Sequence, residues 1–473
     1  MQPRTELSLM SHTNPVSTKL ILHLGVGAFH RAHQAWYLNR LIDSGETRWA
    51  LAAGNIRPDM TQLLHDLDTQ GGEYTLETIT PAGAFTYERI RSITDILPWS
   101  SDLHAVVALG RRPNTRIISF TVTEAGYYLD QHQQLDLSYA DLRSDLEQGS
   151  KLTIYGAICS ILRGRRDDDA GPVTLLCCDN IRSNGDHFRI GLRDFLTRRG
   201  EIDLLAWVQA NTTYPNGMVD RITPRPPVEA KGRVQAVLDI TDECVVMAED
   251  FSQWVIEDHF CNGRPPWEKV NVEMVSSVFP YEEAKIRILN ASHSCIAWAG
   301  AIRGFDYIHE ALADQTIGQM ARAYVSQDVI PCLSPSPVDL ARYCDTVLDR
   351  FSNPYIKDTI ERVAADGFTK IPGFIAPTIA DRIANQQPFA CTAMLPALFL
   401  IFLQYRAAGI IPFTYKDQAM DEAAVNDILG ASDVVHAFCG NPTLWGPLAG
   451  NQTLEAGIRQ AYLSLQQWLK GNS

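Results

Sequence analysis

Between Tyr281 and Ser294 the chain reads Y-E-E-A-K-I-R-I-L-N-A-S-H-S. The stretch sets a carboxylate, an amine, an amide and an imidazole at close spacing: Glu282, Lys285, Asn290 and His293. No Gly or Pro interrupts it and the apolar run Cys295 to Ala299 follows, so the pattern predicts a helix running into a core. At about 100° per residue the four groups fall within roughly 140° of one another, and Leu289 and Ile296 share that arc. The polar side of the helix is therefore one that packs, where an amine needs a partner or a task. A salt-bridged face, Glu282 with Lys285 or Arg287, would supply a partner without any chemistry. The other reading is a general base with its supporting groups. A free lysine, with a pKa of about 10.4, is mostly protonated at neutral pH and is a poor base. Burial lowers that pKa and a nearby carboxylate raises it, so the setting makes the amine tunable. Neutral amides polarise an oxygen without adding charge. Together these groups suit a catalytic lysine with its supporting shell.

A second element, far from this helix in sequence, has the pattern of a dinucleotide-binding turn. Near the start, Leu20 to Leu24 is an apolar run that ends in Gly25-Val26-Gly27-Ala28-Phe29-His30-Arg31. Strand, Gly-x-Gly turn and helix form the first half of a dinucleotide-binding βαβ unit, although His30 stands at the third fingerprint position. The glycines allow a tight turn and close approach of backbone to pyrophosphate, and the helix N-terminus offers free N–H groups. A second strand, Trp49 to Gly54, leads to Asn55, Arg57 and Asp59; an acidic residue here would hold the adenosine ribose, with Arg57 leaving the choice of cofactor open. A third strand, 116–123, ends in Thr123 and Glu124, and a helix over about 138–164 leads to a fourth, 173–178, that ends in Asp179, Asn180 and Asn184. A Pro-rich loop over 214–227 carries Met218-Val219-Asp220-Arg221, and short strands are expected around 245–247 and 254–256. The candidate cofactor contacts are Gly25, Gly27, Phe29, His30, Arg31, Asn55, Arg57, Asp59, Thr123 and Glu124.

Beyond about 276 strand signals fade and helical stretches succeed one another, among them 283–300, 314–327, 338–350, 355–365, 376–386, 391–407, 421–430 and 453–470. The expected organisation is an arm over 1–18, an α/β Rossmann-type domain over 19–275, and a mainly α-helical catalytic domain over 276–473. A net charge of −14 disfavours nucleic acid or an anionic membrane as partner. The ten cysteines form no C-x-x-C pair, which disfavours both a structural zinc site and a disulfide framework. Residues 1–19 lack an apolar signal core, and Met394 to Leu403 is about half the length that spans a bilayer. A cytoplasmic protein is the expectation.

Several blocks in order then carry a resemblance. They are Gly25 to Gln34, Thr123-Glu124-Ala125-Gly126-Tyr127, Cys178-Asp179-Asn180, Met218 to Pro224, and Lys285-x4-Asn290-x2-His293. Together they resemble the long-chain polyol dehydrogenase family, which includes mannitol 2-dehydrogenase and the hexuronate reductases, over about 20–470. The family shares the missing third glycine. Ala35 to Leu38, Ala53 to Arg57, Lys285 to Gly300 and Val363 to Phe368 bring the likeness nearest to its D-arabinitol-oxidising members. The resemblance implies NAD as cofactor, no catalytic metal, and a polyol and its ketose as substrate and product, D-arabinitol and D-xylulose. Mannitol oxidation or hexuronate reduction stands as the alternative within the family, and a nucleotide-binding regulator without turnover as the alternative outside it. It further implies Lys285 as general base, Asn180 and Asn290 on the developing alkoxide, His293 on a substrate hydroxyl, and Glu282 in proton movement to solvent. Arg362, Lys370 and Asp220 match substrate positions, with Asn184 a nearby second amide. A monomer or a small homo-oligomer is consistent with the family.

Overall fold

The computed structural model describes residues 18–130 and 132–471, so the arm expected over 1–18 lies, apart from Thr18, outside the described residues. The chain divides into two compact units: one runs to Ile79 and resumes over Phe85–Phe279, and the other comprises Thr80–Ala84 and Pro280–Ser473.

Twelve strands occur among the described residues of the first unit. In chain order they are β1 (Lys19–Leu24), β2 (Trp49–Gly54), β3 (Tyr74–Ile79), β4 (Phe85–Ile90), β5 (Ile93–Ile96), β6 (Thr115–Phe120), β7 (Val173–Cys177), β8 (Thr212–Thr213), β9 (Gly217–Asp220), β10 (Val246–Glu249), β11 (Gln253–Glu257) and β12 (Glu273–Val275). The principal sheet is parallel, in the order β5-β2-β1-β6-β7-β8. Its strands read as continuous apolar runs because both faces are covered. Leu20, Leu22 and Leu24 enter one core while Ile21 enters the other. The order reverses at β1, since β2 lies on one side and β6 on the other. The carboxyl ends of these strands are where ligands bind in such sheets.

Two departures from the expected elements have simple causes. The helix expected over 138–164 is two helices, Ala140–Gln148 and Ile154–Asp167. Gly149, at φ +71, ends the first, and the Thr153 hydroxyl caps the second by accepting from the Gly156 N–H. Part of the Pro-rich loop is the strand β9, which pairs with β11 because its four residues are all buried.

The second unit is helical. Ala390–Ala407 lies at its centre, packed against Ala291–Arg303 and Gln452–Gly471. That helix is long and apolar enough to cross a membrane by composition, but Leu395 through Leu403 are buried within this unit's core. Ala291–Arg303 is held to the short helix Ile360–Ala364 by the Trp298 indole N–H, which donates to the Ala364 carbonyl at 3.0 Å.

Candidate functional site

The lysine stretch is not one regular helix. An α-helix, Phe279–Ala284, passes into a π-helical turn over Lys285–Asn290, and an α-helix resumes at Ala291. In an α-helix the five-residue step from Lys285 to Asn290 advances roughly 140° beyond a full turn; at about 4.4 residues per turn it advances roughly 50°. The π turn therefore brings the amine and the amide onto one side more closely than regular periodicity does. A π turn leaves carbonyls short of helical donors, and the Tyr324 hydroxyl donates to that of Arg287 at 2.7 Å. Tyr324 itself opens a second π turn, Tyr324–Val329, and a third, Ile371–Ile375, follows Lys370 directly; both pack on the first. Glu282 and Lys285 are both buried, at 4 % exposure each. Arg287 pairs with Glu283 at 2.7 Å and Asp381 at 2.5 Å.

One helical turn on, His293 stacks on the Phe351 ring with centroids 4.1 Å apart. Its Nε2 lies 3.0 Å from Asp358 Oδ2, at an angle too poor for a regular hydrogen bond, and both atoms are buried. The other oxygen of Asp358 accepts from Arg362 Nε at 2.9 Å and Nη2 at 2.5 Å. Burial lowers the His293 pKa against the opposing effect of Asp358, so the imidazole is neutral at pH 7. Burial would raise the Asp358 carboxyl, but His293 and Arg362 hold it below the usual carboxylate range. Lys370 donates to the Val363 carbonyl at 2.7 Å, and burial pushes its pKa down to about 8. Asp358 was not among the residues singled out from the sequence. Its one signal there is the four-residue spacing to Arg362, which any surface ion pair shares.

In the first unit the turn after β1 has two glycines with different tasks. Gly25 sits at φ +108, and a Cβ there would lie 2.3 Å from the Thr121 carbonyl oxygen. A Cβ on Gly27 would meet no protein atom within 4 Å. Gly25 is thus required by the fold, and Gly27 leaves open space where the short helix Ala28–Ala32 begins with no side-chain cap. That bare turn fits the pyrophosphate of a dinucleotide. The side chains around it face inward instead. His30 is fully buried and stacks on His23 at 3.4 Å. His23 contacts Ser119 Oγ at 2.8 Å and the Gly25 carbonyl at 3.1 Å. Burial pushes the His23 pKa down to about 3, and takes His30 well below its ordinary value, so both rings are neutral. Phe29 is partly buried and stacks on His33 at 4.9 Å. Arg31, expected at the cofactor, is instead turned into the core: it donates to the Cys244 carbonyl and lies over the Tyr74 ring at 5.4 Å.

At the end of β2, the Asn55 amide donates to the Arg57 carbonyl at 2.8 Å and to Asp59 Oδ1 at 2.9 Å. Arg57 is paired with Asp141 at 2.9 Å and with the Tyr128 hydroxyl at 2.8 Å. Its charge is therefore matched within the fold by a half-exposed pair. At the ends of β6 and β7, the Asp179 carboxylate accepts from the Val122 N–H at 3.0 Å, the Thr123 N–H at 2.8 Å and the Tyr127 hydroxyl at 2.9 Å. These bonds hold Thr123 at φ +64, a conformation a β-branched residue rarely adopts, with Glu124 opening the turn that follows. Asp179 in turn fixes the chain at Asn180, whose side chain is exposed.

Asn184 is a correction to the sequence reading. Its Nδ2 donates to the Asp179 and Gly217 carbonyls at 3.0 and 2.8 Å, and its Oδ1 accepts from the Gly185 and Gly217 N–H groups at 2.8 and 2.9 Å. A fully buried amide so engaged ties β7 to β9 and has nothing left for a substrate. Asp220 ends β9, buried, while Arg221 is used separately on the Ala32 and Glu249 carbonyls at 2.6 and 3.1 Å.

Comparison with known proteins agrees with this architecture. Residues 19–269 match the mannitol dehydrogenase Rossmann domain and 277–466 the mannitol dehydrogenase C-terminal domain. The chain is 54% identical over 462 residues to D-arabinitol 4-dehydrogenase of Ralstonia nicotianae, covering 97% of this chain and 99% of that one. It is 51% identical to D-arabinitol 4-dehydrogenase of Klebsiella pneumoniae over 93% of this chain and 96% of the other. Among solved structures, Pseudomonas fluorescens mannitol 2-dehydrogenase, a ternary complex with NAD and D-mannitol, superposes with a TM-score of 0.80 at 33% identity, over 95% of this chain and 92% of that one. With both family domains matched in order across nearly the whole chain, this protein belongs to the mannitol dehydrogenase family.

Proposed function

We propose that this polyol dehydrogenase, with NAD as its cofactor, oxidises D-arabinitol to D-xylulose, with Lys285 as general base. The observation that carries the reading is the π turn over Lys285–Asn290, whose wider turn favours a buried amine and an amide on one side of the same helix. Neutral Lys285 accepts the hydroxyl proton of the carbon being oxidised. Asn180 and Asn290 donate to the oxygen as it gains alkoxide character, stabilising charge without raising the lysine pKa as a cation-binding carboxylate would. Glu282, three residues before the base, takes the proton onward to solvent. His293, Arg362, Lys370 and Asp220 bind the remaining hydroxyls. The backbone turn Gly25–Gly27, with the strand ends at Asn55–Asp59 and Thr123–Glu124, holds the dinucleotide, which when bound supplies the hydride acceptor.

The high identity to two D-arabinitol 4-dehydrogenases supports the substrate. A hexuronate would call on Arg362 for its carboxylate, and that guanidinium is already matched by Asp358. A regulator without turnover would have no use for a buried amine beside an amide. We place the enzyme in the cytoplasm, as a monomer or small homo-oligomer. The test is NADH formation with D-arabinitol, D-mannitol, xylitol and ribitol, with NADP⁺ in parallel. Preference for D-arabinitol with NAD⁺ is expected. Turnover of D-mannitol alone would keep the chemistry and change the substrate, and inactivity on every polyol would overturn the reading.

A further inference from the structure

We propose that Asp358 is a positioning residue of the polyol site: one carboxylate oxygen fixes His293 in the tautomer protonated at Nε2, and the other restrains Arg362. The inference rests on the reading above, that His293 and Arg362 contact the polyol. A neutral imidazole carries one N–H and one lone pair, and which nitrogen holds the proton is set by what the ring faces. An ionised carboxylate accepts only, and Asp358 Oδ2 stands 3.0 Å from Nε2. The proton is therefore on Nε2, and Nδ1 is the acceptor. Nε2 is buried against Asp358, so of the two ring nitrogens it is not the one open to a substrate. That leaves Nδ1 to accept from a substrate hydroxyl. Lys370 and Arg362, by contrast, can only donate to one.

The surroundings hold this arrangement rigidly. Phe351 covers one face of the ring. Lys357, at φ +51, takes a left-handed conformation unusual for its type immediately before Asp358. Asp358 is then anchored through its backbone, whose carbonyl accepts from the Ile308 N–H at 2.9 Å, while the Ile360 N–H donates to the Asp306 carbonyl at 2.9 Å. Because the Asp358–His293 contact is short but poorly aligned, it specifies the proton's place more than it adds stability.

The isosteric change Asp358→Asn separates this role from a merely structural one. Arg362 requires an oxygen at Oδ1, so the new amide nitrogen takes the Oδ2 position and donates to Nε2. The proton is then forced to Nδ1, and the acceptor facing the substrate is lost. Nitrogen-15 shifts of His293, assigned by difference from His293→Ala, should show the tautomer exchange. The polyol KM should rise on the order of tenfold, one hydrogen bond's worth, with the KM for NAD unchanged. In a His293→Ala background, Asp358→Asn should change polyol kcat/KM less than about twofold. An unchanged tautomer, or effects of the two substitutions that multiply independently, would overturn the inference while leaving His293 as a substrate contact. A His293→Ala variant with wild-type polyol kinetics would instead overturn the reading on which it rests.

Discussion

The turn after β1 and the π turn at Lys285 both keep polar groups away from water, but they divide the work between backbone and side chain in opposite ways. After β1, the side chains serve the fold. His23 is engaged with Ser119 and the Gly25 carbonyl, His30 lies beneath it, and Arg31 reaches the Cys244 carbonyl. What the turn offers a dinucleotide is bare backbone and the space beside Gly27. At Lys285 it is the backbone that departs from regular geometry, and the side chains are what is presented. A pyrophosphate has many equivalent acceptors and is held by N–H groups at a helix start. The general base proposed at Lys285 acts on one hydroxyl and must stand at a single place.

Substitutions should therefore fail differently in the two regions. The largest effect is expected at the amine. Lys285→Ala should lower polyol kcat by roughly 10²–10⁴-fold, the usual contribution of a general base, with NAD affinity unchanged by fluorescence titration. Near-normal turnover would remove Lys285 from that role. In the other region the two glycines should separate stability from binding. Gly25→Ala brings a Cβ against the Thr121 carbonyl at a φ of +108 and should cost about 1–3 kcal/mol or more, lowering both melting temperature and NAD affinity. Gly27→Ala meets nothing within the protein, so the melting temperature should hold while NAD affinity falls. If Gly27→Ala left NAD binding intact, the dinucleotide would not lie over that turn.

The same contrast explains what could be read in advance. The parallel sheet was legible because buried strands such as Leu20–Leu24 and Val173–Cys177 are continuous apolar runs between turn residues. The helical character of the second unit was equally plain. The π turn was not, because i→i+4 and i→i+5 helices use the same residue types and differ only in which carbonyl each N–H finds. Regular periodicity put Glu282, Lys285, Asn290 and His293 on one broad arc, without the tightening between Lys285 and Asn290. Arg31 and Asn184 mark a second limit. Their types suit phosphate and hydroxyl recognition, yet nothing in sequence spacing tells that Cys244 and Gly217 come close enough to use them first. Asp358 meets His293, and Asp179 meets Thr123, across long separations in sequence, so spacing did not mark what either does.

The stacked pair His23 and His30 supplies a pH test of the first region. His23 has a folded pKa of about 3 against an ordinary value of 6.5. Between those values the unfolded chain binds a proton that the folded chain does not. Stability is complete above pH 6.5 and is lost as pH falls. At pH 4.5 the loss from His23 should be about 3 kcal/mol, read as an acid-side decline in denaturant midpoint. His23→Asn should flatten that decline by about one proton's worth, whatever it does to stability at pH 7. An unchanged slope would mean that the ring is already charged in the folded protein.

The smallest expected effect bears on how the π turn is kept. Tyr324 donates its hydroxyl to the Arg287 carbonyl, a bond with no counterpart in an unbroken α-helix. Tyr324→Phe keeps the ring in its core and removes only that donor, leaving a buried carbonyl unsatisfied at a cost of about 1–3 kcal/mol. If the hydroxyl holds the turn open, relaxation toward α geometry would rotate Asn290 away from Lys285 by roughly 90°. Polyol kcat should then fall by about tenfold, with NAD affinity unchanged, alongside the lower melting temperature. A fall in melting temperature with kcat intact would show that packing by the neighbouring π turns is enough to hold the amine and the amide together, and that the hydroxyl contributes to stability alone.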